Sequence, residues 1–293
     1  SGLWDRIETL ERLQESARTR VSELADLREE LGEKRHETVQ TKEELERWQE
    51  NLADKKTILE SSEREQAQVL GAARSEEEQY RAILEEKKRQ REAFTKELNK
   101  LESQLQIAID PSKFPERGTS VFTSPVPDLS LRSCWDGGGS ASNCVTQYFG
   151  NTSFSQRTAA YNGNGHNGLD LRTSVGTPIS APLRGVVKAV GNTDAYAGCY
   201  SYGKWILLEH PNGLSTLYAH LSLIKVVQGQ AVNTGDVIGY SGNTGFSTGP
   251  HLHFTVYATE GVRVVQYTNS NNCKQATIPI ADQNAYLNPL DYL

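Results

Sequence analysis

Stepping seven residues at a time from Leu3 gives Leu10, Ala17, Leu24, Leu31, Thr38, Leu45, Leu52, Leu59, Gln66, Ala73, Tyr80, Lys87, Phe94, Leu101 and Ala108. One register held over so many heptads points to a long α-helix with an apolar seam, the pattern of a coiled coil. The companion series, four residues on, begins Ile7, Gln14 and Val21. It is polar from Arg28 to Glu63 and recovers at Leu70, Leu84, Leu98 and Leu105. One good core position per heptad holds a helix pair weakly, so residues 1–110 are expected either to fold back as a helical hairpin or to take a partner helix. Gly71-Ala72-Ala73, followed by the capping-box pattern Ser75-x-x-Glu78, is the expected break. His36 lies outside both series and reads as solvated.

The helical pattern stops at Asp110-Pro111, and residues 111–120, with two prolines and a glycine, read as a linker. Residues 1–109 carry 26 acidic and 20 basic side chains, whereas residues 121–293 carry 9 and 9, so the formal charge of -6 belongs to the helical half. Neither half has the basic excess of a nucleic-acid binder, and no apolar run approaches the roughly 20 residues that cross a bilayer. The Ser-Gly start reads as a processing scar, with a leader or anchor expected upstream.

From residue 121 the pattern becomes short β-branched and aromatic runs divided by glycine, including Gly185 to Val190, Lys204 to Glu209, Ser215 to His220, Asp236 to Tyr240 and His251 to Tyr257. Such runs predict an all-β domain over 121–293, a sandwich or barrel. All four cysteines lie there, among loops rich in Gly, Asn and Ser, and no CxxC pair exists. Disulfides in an oxidising compartment are therefore expected. With nine intervening residues Cys134 and Cys144 suit a local bridge, which leaves Cys199 for Cys273.

Five of the six histidines fall in this half. In His251-Leu252-His253 the imidazoles share one strand face while Leu252 and Phe254 turn to the core. The same alternation buries Leu217, Ala219 and Leu221 and places Thr216, Tyr218 and His220 on the opposite, open face. In His166-x-x-x-Asp170 the aspartate enters a strand facing away from the core. Two imidazoles and a carboxylate make a three-ligand zinc site with a position left for water, the pattern of a catalytic centre. Two further histidines would supply hydrogen bonds or proton transfer in place of the Glu of HExxH enzymes, a motif absent here.

The ordered set Val145-Thr-Gln-Tyr-Phe-Gly150, His166-x-x-x-Asp170, Gly176-Thr-Pro-Ile-x-Ala-Pro182, Leu217-Tyr-Ala-His-Leu221, Gly245-x-x-Thr-Gly-Pro-His-Leu-His-Phe254 and Asn288-Pro-Leu290 resembles the lysostaphin-type, or LytM-like, zinc metallopeptidases of bacterial cell walls. That resemblance implies a LytM-like domain of antiparallel sheets with a barrel-sandwich-like core. It implies Zn2+ held by His166, Asp170 and His253, with His220 and His251 as the catalytic pair, His210 structural, and peptidoglycan peptides as substrate outside the cytoplasm. Two stretches depart from the pattern, Asp128 to Cys144 and Arg263 to Ile280, and both read as insertions able to reshape the substrate groove.

A different class of function also fits a coiled coil joined to such a domain: a non-enzymatic activator of a separate cell-wall amidase. Regulators of that kind lack part of the five-residue set, which is complete here. A carrier module of the lipoyl or biotinyl type is disfavoured because Lys188 lies inside an expected strand rather than at a hairpin tip. The short linker keeps the rod near the catalytic domain. The coil is therefore expected to act as a regulatory or docking element, its seam completed by its own returning arm or by an envelope partner, in an exchange that covers or uncovers the zinc face.

Overall fold

The computed structural model describes residues 2–73, 77–135, 143–152, 155, 165–199, 201–268, 270 and 273–293, without the side chains of 4–6 and 69–80. The chain forms two compact units, residues 1–56 and 57–293. Helix α1 runs Gly2–Ala73 and α2 runs Glu77–Glu102. Gly71 to Ala73, where a break was expected, are helical, and residues 74–76 and the side chain of Glu78 lie outside the described residues.

In the first unit the seam leucines face solvent: Leu3, Leu10, Leu24, Leu31, Leu45 and Leu52 are each more than half exposed. Local terms hold this helix together. It is free of proline and carries i,i+4 ion pairs such as Arg12–Glu8 at 2.7 Å and Lys34–Glu30 at 3.7 Å. Each such pair contributes only about 0.2–0.5 kcal/mol.

The second unit is built on strands β1 (Leu129–Ser133), β2 (Asn143–Gln147), β3 (Leu169–Arg172), β4 (Pro178–Ser180), β5 (Gly185–Asn192), β6 (Lys204–Glu209), β7 (Leu214–Ile224), β8 (Ala231–Val232), β9 (Val237–Ser241), β10 (His251–Ala258), β11 (Val262–Gln266), β12 (Thr277–Ala281) and β13 (Tyr286–Leu287). The main sheet has the order β1-β2-β3-β10-β7-β6-β5-β8, with β9 joining β7 to β4 and β13 alongside β10; β11 and β12 form a separate hairpin. Among the described residues every pairing except β1–β2 is antiparallel. The domain is mostly β, as expected.

The principal core gathers Leu169, Leu171, Trp205, Leu207, Leu217, Phe254 and Tyr257, all fully buried. The expected open face of β7 is not open. Thr216 and Tyr218 are fully buried, because the Tyr218 hydroxyl, Thr216 Oγ1 and His210 Nε2 form a hydrogen-bonded chain of 2.7 and 2.8 Å on that side. The remaining ring nitrogen of His210 donates to the Arg184 carbonyl, and burial lowers its pKa, so it serves as a neutral structural link.

Residues 111–120 are fastened to the domain rather than loose. A 3-10 turn spans Pro111–Lys113, Lys113 pairs with Glu260 at 2.7 Å, and Gly118 N–H donates to the Asp291 carbonyl. The recovered seam of the helical half has also found a partner. Phe94, Leu98, Leu101 and Leu105 pack with Tyr267, Ile278 and Ile280 around Cys199 and Cys273. Residues at heptad spacing thus cover a β-hairpin instead of another helix.

Both expected disulfides are present, Cys134–Cys144 and Cys199–Cys273. The second closes a 74-residue separation and joins the loop before β6 to the segment before β12. Replacing Cys199 and Cys273 together with Ser lowers the unfolding free energy by about 2–4 kcal/mol, read from chemical denaturation of the oxidised protein. An unchanged midpoint contradicts that role.

Candidate metal centre

Strand β10 lies between β3 and β7, and its register sets His253 opposite Asp170 on one side and opposite Ala219 on the other. His166 approaches from the segment before β3 through an antiparallel bridge with Gly150. His220 stands on β7 with a φ of 61°. A non-glycine residue in the left-handed region is strained, and such residues concentrate where a side chain must be aimed. The conformation accompanies irregular pairing on both sides of β7, between Lys204 and Ile206 and between Leu221 and Leu223.

These elements bring all five expected site residues together. One donor atom from each of His166, Asp170 and His253 lies within 4.8 Å of the others. Asp170 Oδ1 is 2.8 Å from His253 Nδ1 and 3.2 Å from His166 Nε2, and the two nitrogens are 3.2 Å apart. His251 Nε2 stands 3.8 Å from the same carboxylate oxygen, and the His220 and His251 rings are 4.6 Å apart. The three residues are 1–9% exposed, so the carboxylate and imidazoles share a site nearly closed to solvent.

Burial works against ionisation of Asp170, but the adjacent His166 and His253 rings outweigh it and hold the carboxyl well below its usual range. Burial is also the largest influence on His253, whose pKa is lowered. For His220, burial and the neighbouring His251 and His253 bring it down to about 3. The centre therefore presents an ionised carboxylate beside His253 and His220 rings that burial keeps in the neutral form, and a divalent cation binds such groups in those states.

The far ring nitrogens decide which lone pairs face inward. A carbonyl can only accept, so His166 Nδ1 donates to Tyr148 O at 3.0 Å and leaves Nε2 as the donor atom. His220 Nδ1 donates to Thr244 O at 2.8 Å, and His251 Nδ1 to Gly249 O at 2.8 Å. His253 is turned the other way: its Nε2 lies 3.0 Å from Thr255 Oγ1, which leaves Nδ1 toward Asp170.

The supporting groups are the ones that sequence reasoning missed. Thr255 was within reach of it, since it follows His253 by two on the same strand face. Gly168 was not: a Cβ there would lie 2.7 Å from Phe254 O and 2.8 Å from His253 Cε1, a close approach that only the fold reveals. The helical half was expected near the zinc face, but not which of its residues lie there. A groove of about 820 Å³ runs past His166, His220, His251 and His253, and its other side is lined by Arg91, Phe94, Leu98 and Glu102 of α2. Thr255→Val keeps the shape of the site and removes the acceptor, so zinc affinity falls by about 10–100-fold without loss of fold, measured by competition with a chelating dye. Unchanged affinity would show that Thr255 does not set the ring.

Residues 164–276 match the family model described as Peptidase family M23. Among curated proteins, the chain is 44% identical over 89 residues to DD-carboxypeptidase/endopeptidase Mpg of Neisseria meningitidis serogroup B, which covers 30% of this chain and 19% of that protein. It is 40% identical over 116 residues to peptidoglycan DD-endopeptidase ShyA of Vibrio cholerae, covering 40% and 24%. It is 40% identical over 93 residues to lysostaphin of Staphylococcus simulans, covering 32% and 18%. The chain thus spans less than a quarter of the length of these relatives. Among solved structures, the catalytic domain of lysostaphin from S. simulans is 28% identical, with a TM-score of 0.37 over 50% of this chain and 88% of that one. The similarity to peptidase family M23 thus spans residues 164–276, which include His166, Asp170, His220, His251 and His253.

Proposed function

We propose that this domain is a zinc-dependent endopeptidase that cuts peptide cross-links or bridges of bacterial peptidoglycan, acting outside the cytoplasm, with the helical half as a regulatory or docking element. The observation that carries the reading is the buried His166, Asp170 and His253 cluster with His220 and His251 beside it. The substrate class is supported by the relatives, whose names specify a DD-endopeptidase and lysostaphin. Two disulfides with no free cysteine among the described residues support an oxidising compartment.

In this reading His166 Nε2, His253 Nδ1 and one Asp170 oxygen hold Zn2+, two neutral donors and one anion, leaving a net positive centre. Bound there, zinc supplies Lewis acidity to the scissile carbonyl and lowers the pKa of the attacking water to about 7. The remaining work falls to the chain. His220, neutral and fixed through its Nδ1–H, presents Nε2 as an acceptor for the water proton. His251, likewise held at Nδ1, turns Nε2 to the site, where in its doubly protonated form it donates to the developing oxyanion or the leaving amine. Fixing both rings through backbone carbonyls spares the reaction the cost of orienting them.

The long helix keeps the activator reading in view, because an exposed heptad seam suits a partner. A complete five-residue centre favours the enzyme, since a pure scaffold has no use for orienting hydrogen bonds on four histidines.

Ala in place of His166, Asp170 or His253 abolishes both zinc binding and hydrolysis of purified sacculi. Ala in place of His220 or His251 retains about one zinc per chain and lowers turnover by about 10²–10⁴-fold. Zinc kept by His166→Ala and lost by His220→Ala overturns the assignment.

A further inference from the structure

We propose that α2 is a built-in cover of the groove and that Glu102 is its latch, an inference that rests on the peptidase reading of the site it covers. The helix grips both lips. On one, the Arg91 guanidinium sits 3.9 Å over the Phe246 ring, in the loop whose Ser247 and Gly249 hold His251. On the other, Phe94 is 3% exposed with its ring 5.5 Å from Tyr267, on the platform pinned by Cys199–Cys273. At its end, Glu102 Oε1 accepts hydrogen bonds from the Tyr286 hydroxyl at 2.6 Å and from Ala281 N–H at 3.3 Å. Beyond it the chain is tied down again where Ile107 N–H donates to Asp282.

A strand of a cross-linked polymer needs an open-sided cleft to lay its peptide past His220 and His251. Here α2 forms one side of the space, which narrows the path of a polymer past the two histidines. The closed interface is also imperfect. Glu97 Oε2, Asn99 Nδ2 and the Tyr267 hydroxyl are buried there without a hydrogen-bond partner among the described residues. Orphaned polar groups favour an open state in which water reaches them.

Glu102 makes the closure sensitive to pH. Burial pushes its carboxyl up from 4.5 to about 7, against the partial relief of the hydrogen bonds from Tyr286 and Ala281. Among the described residues the groups facing it offer no cation: they are the phenols of Tyr202, Tyr257, Tyr267 and Tyr286, all raised by burial and so neutral, together with Glu97 on its own helix and Asp282 beside Ala281. A carboxyl whose pKa is higher in the closed state stabilises closure while protonated. That stabilisation is complete below the open-state value of 4.5 and is lost as pH rises through about 7. The closing equilibrium weakens by about 10²-fold across the window.

The test uses the full zinc-loaded chain and reads two quantities: hydrogen exchange of the α2 amides, corrected for intrinsic rates, and hydrolysis of purified sacculi. Wild type, Glu102→Gln and Phe94→Ala are compared at about pH 5.5 and about pH 8.5, on either side of the latch's titration. The wild-type helix is expected to lose at least about tenfold protection between the two. Glu102→Gln keeps its protection at the higher pH, and Phe94→Ala loses it at both while hydrolysing sacculi at least about tenfold faster at the lower. If α2 protection ignores pH and both substitutions while sacculi are cut, the cover is overturned and the peptidase reading stands. If protection follows the expected pattern and no form cuts sacculi at either pH, the cover stands and the peptidase reading falls.

Discussion

The two backbone ladders of β10 are the constraint on which the metal centre depends. Pairing with β3 sets His253 against Asp170, and pairing with β7 sets the same residue against Ala219, next to His220. Strand side chains alternate faces, so a slip of one residue would send His253 and Thr255 into the core and bring Phe254 to the site. Gly168 enforces the alignment, because its bare backbone lets the segment after His166 lie directly on Phe254 O and Thr255 Oγ1. Ligand geometry is thus a property of sheet register, fixed by the same hydrogen bonds that close the core over Leu169, Leu171 and Phe254.

Much of this was legible in the residues because its periods are short. His-x-His on a strand and an Asp between Leu169 and Leu171 already require shared faces, and the structure brings His166, Asp170, His220, His251 and His253 to one place. The cysteine partners followed from chain separation alone. What stayed hidden concerns what lies over a face. Alternation on β7 put Tyr218 with His220 on the site face, whereas the register sets Tyr218 opposite Phe254, where Thr216 and His210 continue its hydrogen bonding. Likewise the heptad positions Phe94, Leu98, Leu101 and Leu105 announce an apolar stripe without saying that a disulfide-bridged hairpin covers it. A periodic pattern specifies that a surface must be buried; the partner is decided by tertiary packing.

The two halves of the helical segment consequently do different physical work. In residues 1–56 the seam is exposed and the helix rests on its own hydrogen bonds and weak surface ion pairs. From residue 57 onward the chain belongs to the same compact unit as the sheet, and α2 exchanges solvent for Tyr267, Phe246 and Tyr286. Burial of Phe94 favours that docking, while the buried carboxyl of Glu102 and the unpartnered atoms of Glu97 and Asn99 oppose it. Opposed contributions of this kind leave a contact near balance, which is the condition under which a small change in charge moves a population.

The most direct test of the account is X-ray absorption at the zinc edge on the full chain after equilibration with zinc. Ligation by His166, Asp170 and His253 predicts a first shell of two imidazole nitrogens, with oxygen completing it and no sulfur. A shell of three or four imidazoles would bring His220 or His251 onto the metal and contradict the division of roles, and a protein that takes up no zinc would contradict the centre itself.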